Sequence, residues 1–238
     1  MAQPKPSPDP SEALRLAALR PSEYTAALIH ALQARAERVR GAAVLEIGSG
    51  SGVVLAALGA LGATSLCGID IEDDAIQSGM LLLAELGHGE MSELHQGDMW
   101  QPVAGRRFDL VVANLPHFPM ERREVLGRRA TWSAGGNSGR ALLDRFIDGL
   151  ETHLLPGGVA VVTHNAFVDL DRTREMLRER GMAMAVVQSI LVGIPDEKLD
   201  RMTPAVLASE LGRTLHRFGP YCFGEVNVIE IARIGARG

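Results

Sequence analysis

Glycines at positions 48, 50 and 52 lie in the run Val44-Leu45-Glu46-Ile47-Gly48-Ser49-Gly50-Ser51-Gly52, between a short apolar stretch and a small-residue stretch. Glycine lets a backbone approach a ligand closely and accept positive φ, and a helix opening after such a turn offers it free N–H groups. Asp70 closes the next apolar run, SLCGIDI (65–71), eighteen positions beyond Gly52. A carboxylate there sits where ribose hydroxyls can donate to it. The spacing serves a nucleotide-like ligand. Glu46 narrows the chemistry, because an acid ahead of the first glycine repels a pyrophosphate and attracts a cation. A second group, Asn114-Leu115-Pro116-His117, follows the apolar run FDLVVAN (108–114). Its amide stands at the carboxyl end of a buried strand, where open α/β sheets bind ligands.

A nicotinamide dinucleotide and S-adenosylmethionine (SAM) both fit a glycine loop with a following acid. Glu46 and the spacing ExGxGxG, which lacks the helix-internal glycine of the dinucleotide fingerprint, favour the sulfonium ligand SAM. These residues resemble motif I and the ribose-binding acid of class I SAM-dependent methyltransferases. The resemblance implies that Glu46, Gly48, Ser49, Gly50, Gly52 and Asp70 bind the cofactor. In His95-Gln96-Gly97-Asp98-Met99 it implies that Asp98 binds the adenine amino group and Met99 packs on the ring, with Ile71 on the other ring face.

The run Asn114-Leu115-Pro116-His117 is similar to the NPPY motif of methyltransferases acting on planar nitrogens. There the Asn side-chain oxygen and the next backbone carbonyl accept the two hydrogens of the substrate nitrogen and hold it against the methyl, which is catalysis by positioning. Leu115 replaces the first proline, yet its carbonyl survives and Pro116 keeps it extended. His117 replaces the aromatic residue; an imidazole can stack, and it can act as a base near neutral pH. Pro21-Ser22-Glu23-Tyr24-Thr25 resembles the PxEDT segment of HemK-like glutamine N5-methyltransferases, which implies that Thr25 contacts the cofactor and closes the pocket. Tyr24 stands where an Asp is usual. Ser133-Ala134-Gly135-Gly136-Asn137-Ser138-Gly139-Arg140 also resembles that branch.

The expectation is a SAM-dependent methyltransferase acting on a planar amide or amine, with Asn114, Leu115, Pro116 and His117 as the catalytic group and no metal. Alternatives stay open: a small-molecule N- or O-methyltransferase using His117 as base, an adenine N6-methyltransferase, a non-catalytic SAM-binding subunit, or a nicotinamide oxidoreductase. A substrate protein or small molecule, and a partner subunit or second copy, are the expected partners.

Strands must alternate with helices to place these groups. GVAVVTH (158–164), MAMAVVQSILV (182–192) and GEVNVIEIARI (224–234) read as further strands, with helices centred on 142–154 and 171–180. The pattern predicts an α/β Rossmann-like fold: a seven-stranded, mostly parallel sheet with helices on both faces. A disordered tail (1–10), an N-terminal helical cap (11–40, with Ser22 as an N-cap) and a methyltransferase domain (41–238) follow. A substrate-side helical insertion at 194–223 precedes the last strand. Asp73 reads as the cap of the helix after Asp70.

Composition sets the outer bounds. The chain has 238 residues, 46% of them hydrophobic, and a net charge of −5, which argues against nucleic acid as the main partner. No uncharged apolar run reaches about 18 residues, so no membrane-spanning helix is expected. The two cysteines, Cys67 and Cys222, lack ligand spacing, and a reducing cytoplasm is the expected compartment. Arginines at 122, 123, 128 and 129 read as a solvated segment near the site, and His164 and Asn165 as residues supporting it from behind.

Overall fold

The computed structural model describes residues 21–120 and 133–235. The expected tail, the helical reading of residues 11–20 and the charged segment around Glu121–Arg129 lie outside the described residues.

Strands β1 (Ala43–Ile47), β2 (Ser65–Asp70), β3 (Ser92–Gln96), β4 (Phe108–Ala113) and β5 (Leu154–Asn165) run parallel. Strand β6 (Met182–Ile194), a short β7 (Leu215–Phe218) and the closing β8 (Tyr221–Arg233) complete the sheet. Its order is β3-β2-β1-β4-β5-β8-β6, with β7 paired to the first residues of β8. β8 is antiparallel to both β5 and β6. The described sheet thus has eight strands against seven expected. The additional one, LHRF, lies inside the insertion and is too short and polar to read as a strand from sequence.

Alternation along the strands sends side chains to two cores. Leu45, Ile47, Cys67, Ile69, Val111, Ala113, Ala160 and Val162 pack on one face with helices α5 (Ala141–His153) and α6 (Leu170–Glu179). Val44, Leu66, Leu110, Val112, Val159 and Val161 pack on the other with α1 (Glu23–Gln33), α3 (Val53–Ala60) and Leu83 of α4 (Asp73–Glu85). Helix α1 therefore covers a sheet face as a layer helix. A short α2 (Ala36–Val39) links it to β1. Ser22 is the N-cap of α1, its backbone N–H donating to Thr25 Oγ1 at 3.3 Å. The cap of α4 is Glu72, one residue before Asp73, which instead opens the first turn, where an acid also suits the helix dipole.

The insertion contributes α7 (Asp196–Leu199), α8 (Pro204–Glu210) and β7. Leu199, Met202 and Leu215 join the same core as Phe118 and Phe167, so this segment is packed into the domain. Among the described residues no helix is long and apolar enough to cross a membrane.

Candidate active site

Register alone gathers the chemistry-bearing residues at one edge of the sheet. Ile47 pairs with Ile69 and with Ala113, Asp70 with Gln96, and Ala113 with Val162. The residues that leave β1, β2, β4 and β5 side by side are therefore Gly48, Asp70, Asn114 and Thr163.

The loop after β1 needs its glycines. Gly48, Gly50 and Gly52 take φ of 75°, 51° and 77°, a region that side chains disfavour. A Cβ on Gly52 would also lie 2.9 Å from Gly79 Cα, so the start of α3 packs against the middle of α4 there. Gly50 N–H donates to Asp70 Oδ2 at 2.8 Å and Glu72 N–H to Asp70 Oδ1 at 3.0 Å. Burial raises the Asp70 pKa while these N–H groups lower it; each oxygen keeps a lone pair for a hydroxyl.

Glu46 is buried, and burial, then nearby Asp70, pushes its carboxyl well above the usual range. The Leu55 backbone opposes this, yet Glu46 Oε2 and Ser49 Oγ have no hydrogen-bond partner. A buried carboxylate oxygen without a donor beside a glycine cradle fits a ligand that brings positive charge and N–H groups. The residues present therefore fit SAM.

At the far side, Met99 is buried with φ of 55°, and Ile71 is 56% exposed, an apolar side chain left uncovered beside Asp70. Asp98 pairs with Arg145 at 2.8 Å and leaves Oδ1 unused in that pair.

Asn114 is held from two elements. Thr163 Oγ1 donates to its Oδ1 at 2.8 Å, and its Nδ2 donates to Thr25 Oγ1 at 3.3 Å. An amide oxygen accepting one hydrogen retains a second lone pair. The Leu115 carbonyl accepts from His117 Nδ1 and likewise keeps one; the Leu115 side chain packs against Gly48. His117 is buried, its pKa lowered to about 4 by burial, so the imidazole is neutral near pH 7. A carbonyl can only accept, so Nδ1 carries the proton; Nε2 is buried with no partner. A base of that pKa has little proton affinity, which weakens the reading of His117 as a general base.

The 133–140 segment braces this loop. Phe118 N–H donates to Ser133 O and Gly135 N–H to Phe118 O, both at 2.8 Å. A Cβ on Gly135 would lie 2.7 Å from His117 Cα, and one on Gly139 2.7 Å from His117 O. The insertion closes the next position: Thr203 N–H donates to Pro119 O at 2.8 Å, and Lys198 Nζ lies 5.5 Å from the Phe118 ring centroid.

Thr163 and Tyr24 are contacts that sequence reasoning missed. Thr163 carries no local sequence signal: its place follows from the pairing of Val162 with Ala113, the residue before Asn114. Strand alternation puts His164 on the opposite face from Thr163 and Asn165: its ring bonds Thr173 Oγ1 on α6 at 2.8 Å and lies behind the His117 ring, with centroids 6.3 Å apart. Cys222 is buried in the core and Tyr221 is exposed.

Comparison with known proteins adds independent findings. The family model described as "Methyltransferase domain" matches residues 44–132. A protein of Methanocaldococcus jannaschii carrying the provisional name protein N5-glutamine methyltransferase is 30% identical over 162 residues, 68% of this chain and 80% of that protein. Human methyltransferase HEMK2 is 34% identical over 58% of this chain and 67% of its own length. The match to the release factor glutamine methyltransferase of Geobacter sulfurreducens spans only 44% of that longer protein. Among solved structures, the E. cuniculi Mtq2–Trm112 complex aligns over 90% of this chain and 98% of that chain, at 19% identity and a TM-score of 0.56, a likeness of fold.

Proposed function

The chain belongs to the HemK-like class I SAM-dependent methyltransferases, and from that premise we propose that it methylates the side-chain amide nitrogen of a glutamine in a protein substrate. The observation that carries this reading is Asn114 at the carboxyl end of β4, its amide fixed by Thr25 and Thr163 beside the glycine loop. SAM, when bound, supplies an activated methyl group on a sulfonium. Glu46, Gly48, Ser49, Gly50, Gly52, Asp70, Ile71, Asp98, Met99 and Thr25 are the residues assigned to hold it.

The remaining lone pairs of Asn114 Oδ1 and Leu115 O accept the two hydrogens of the glutamine amide. An amide nitrogen is a poor nucleophile because its lone pair is delocalised into the carbonyl. Fixing both hydrogens orients the nitrogen and favours attack in line with the departing sulfur, and the N-protonated amide that results is acidic enough to give its proton to water, so no strong base is needed. Pro116 holds Leu115 extended and the neutral His117 ring walls the site. The buried, neutral imidazole and the glutamine enzymes among the relatives both favour this reading over an oxygen acceptor deprotonated by His117.

The test is methyl-labelled SAM incubated with purified protein and a lysate split into protein, RNA and small-molecule fractions. Label on protein, mapped to glutamine, is expected. Label confined to RNA or small molecules overturns the proposal. Asn114→Ala is expected to abolish transfer and leave SAM affinity within about threefold, because positioning and cofactor binding are separable.

A further inference from the structure

We infer that Tyr24 is a positioning residue for methyl transfer, acting through Asn165 on the backbone carbonyl of His117. The inference rests on the reading of residues 114–117 as the acceptor loop. Tyr24 sits in the first turn of α1, next to Thr25, and its ring meets His117 edge-on, with centroids 5.9 Å apart and planes at 80°. Its hydroxyl donates to Asn165 Oδ1 at 2.8 Å. Asn165, the last residue of β5, is buried, and its Nδ2 lies 3.4 Å from the His117 carbonyl oxygen.

The direction of these contacts is set by chemistry. A carbonyl only accepts, so the amide must turn Nδ2 toward His117 and Oδ1 toward the phenol. Each end of the Asn165 side chain has one correct partner. Removing the phenol oxygen leaves a buried carbonyl oxygen without a donor, and a flipped amide sets that oxygen against His117 O. The loop has no room to shift toward 139, where a Cβ on Gly139 would already lie 2.7 Å from the same His117 oxygen.

The loop is thereby held at both ends by the same two elements. Thr25 and Thr163 fix Asn114; Tyr24 and Asn165 fix His117. Between these anchors lies the Leu115 carbonyl. A displacement of about 1 Å in an acceptor of this kind costs rate far more than affinity.

The test compares wild type, Tyr24→Phe, Asn165→Ala, the double variant and Asn114→Ala as purified proteins, with methyl-labelled SAM and the protein fraction of the lysate as acceptor. Tyr24→Phe is expected to lower kcat about tenfold with SAM Kd within about twofold. The double variant is expected to be no slower than Asn165→Ala alone, because both changes break one chain of contacts. A wild-type kcat in Tyr24→Phe, or losses that multiply in the double variant, overturns the inference. Asn114→Ala separates the two readings: if it keeps its kcat, the acceptor loop is misassigned, whereas its loss beside a normal Tyr24→Phe removes only the role of Tyr24. Amide exchange needs no acceptor. Residues 115, 117 and 118 are expected to exchange about tenfold faster in Tyr24→Phe, and unchanged rates count against the inference.

Discussion

Glu46 carries two opposed demands in one side chain. Burial first, and Asp70 second, raise its pKa well above the usual carboxylate range. An acid whose folded pKa exceeds its unfolded value keeps a proton that the unfolded chain releases. Stability is then lost as pH rises from the unfolded value toward the folded one. Glutamine at this position carries no such proton. Glu46→Gln without SAM is therefore expected to melt higher than wild type at pH 8, with the gap shrinking at pH 5. The same change removes the charge that meets a sulfonium ligand, and SAM is expected to bind about tenfold or more weakly. Calorimetric melting at the two pH values and titration with SAM check both halves. A variant less stable than wild type at pH 8 that binds SAM equally well sinks the argument. Glu46 stood out in the sequence as a candidate ligand residue because it precedes three glycines; the lack of a partner for its Oε2 did not, since that depends on everything packed around it.

Elements decide where such residues end up. The three glycines of the β1 loop announced themselves, because positive φ at 48, 50 and 52 leaves glycine a near-monopoly. The contacts around Asn114 did not. Thr163 and Asn165 reach it and His117 only through the pairing of β4 with β5 and the alternation that turns His164 to α6, and nothing local in the sequence marks that register. The 133–140 segment lies between: its glycines resembled a family pattern, but their reason is steric. Gly135 has no positive φ to protect, so a substitution there tests contact alone. Gly135→Ala places a methyl 2.5 Å from Gly139 O and 2.7 Å from His117 Cα. It is expected to cost about 1–3 kcal/mol of stability, and to slow transfer more than it weakens SAM binding. Gly193→Ala is the control, since its added methyl meets nothing within 4 Å. Equal behaviour of the two variants would falsify the idea that the segment braces the acceptor loop.

At the scale of the whole molecule the question is whether residues 194–223 form a lid. Sequence reading placed an insertion there because the strand–helix rhythm stops after Val192, but rhythm says nothing about attachment. The packing argues for a fixed wall. Ile194, Leu199, Met202, Leu215 and Cys222 share one core with Phe118, Met120 and Phe167. Thr203 binds Pro119 O through both its N–H, at 2.8 Å, and its hydroxyl, at 3.2 Å. A Cβ on Gly224 would lie 2.7 Å from the Phe167 ring, so β8 passes too close to the core to be lifted without breaking it. A segment that moves during turnover must open at low cost, whereas one sharing the main core opens only when the core does. The amides of Thr203 and Glu225, bonded to Pro119 O and Thr214 O, are therefore expected to exchange with an opening free energy within about 1 kcal/mol of global unfolding. Native-state hydrogen exchange at low denaturant measures this directly. Exchange about a hundredfold faster than in β4 and β5 makes the segment a lid after all. Matching protection makes it a rigid wall against Phe118 and Pro119, with the Lys198 ammonium above the Phe118 ring.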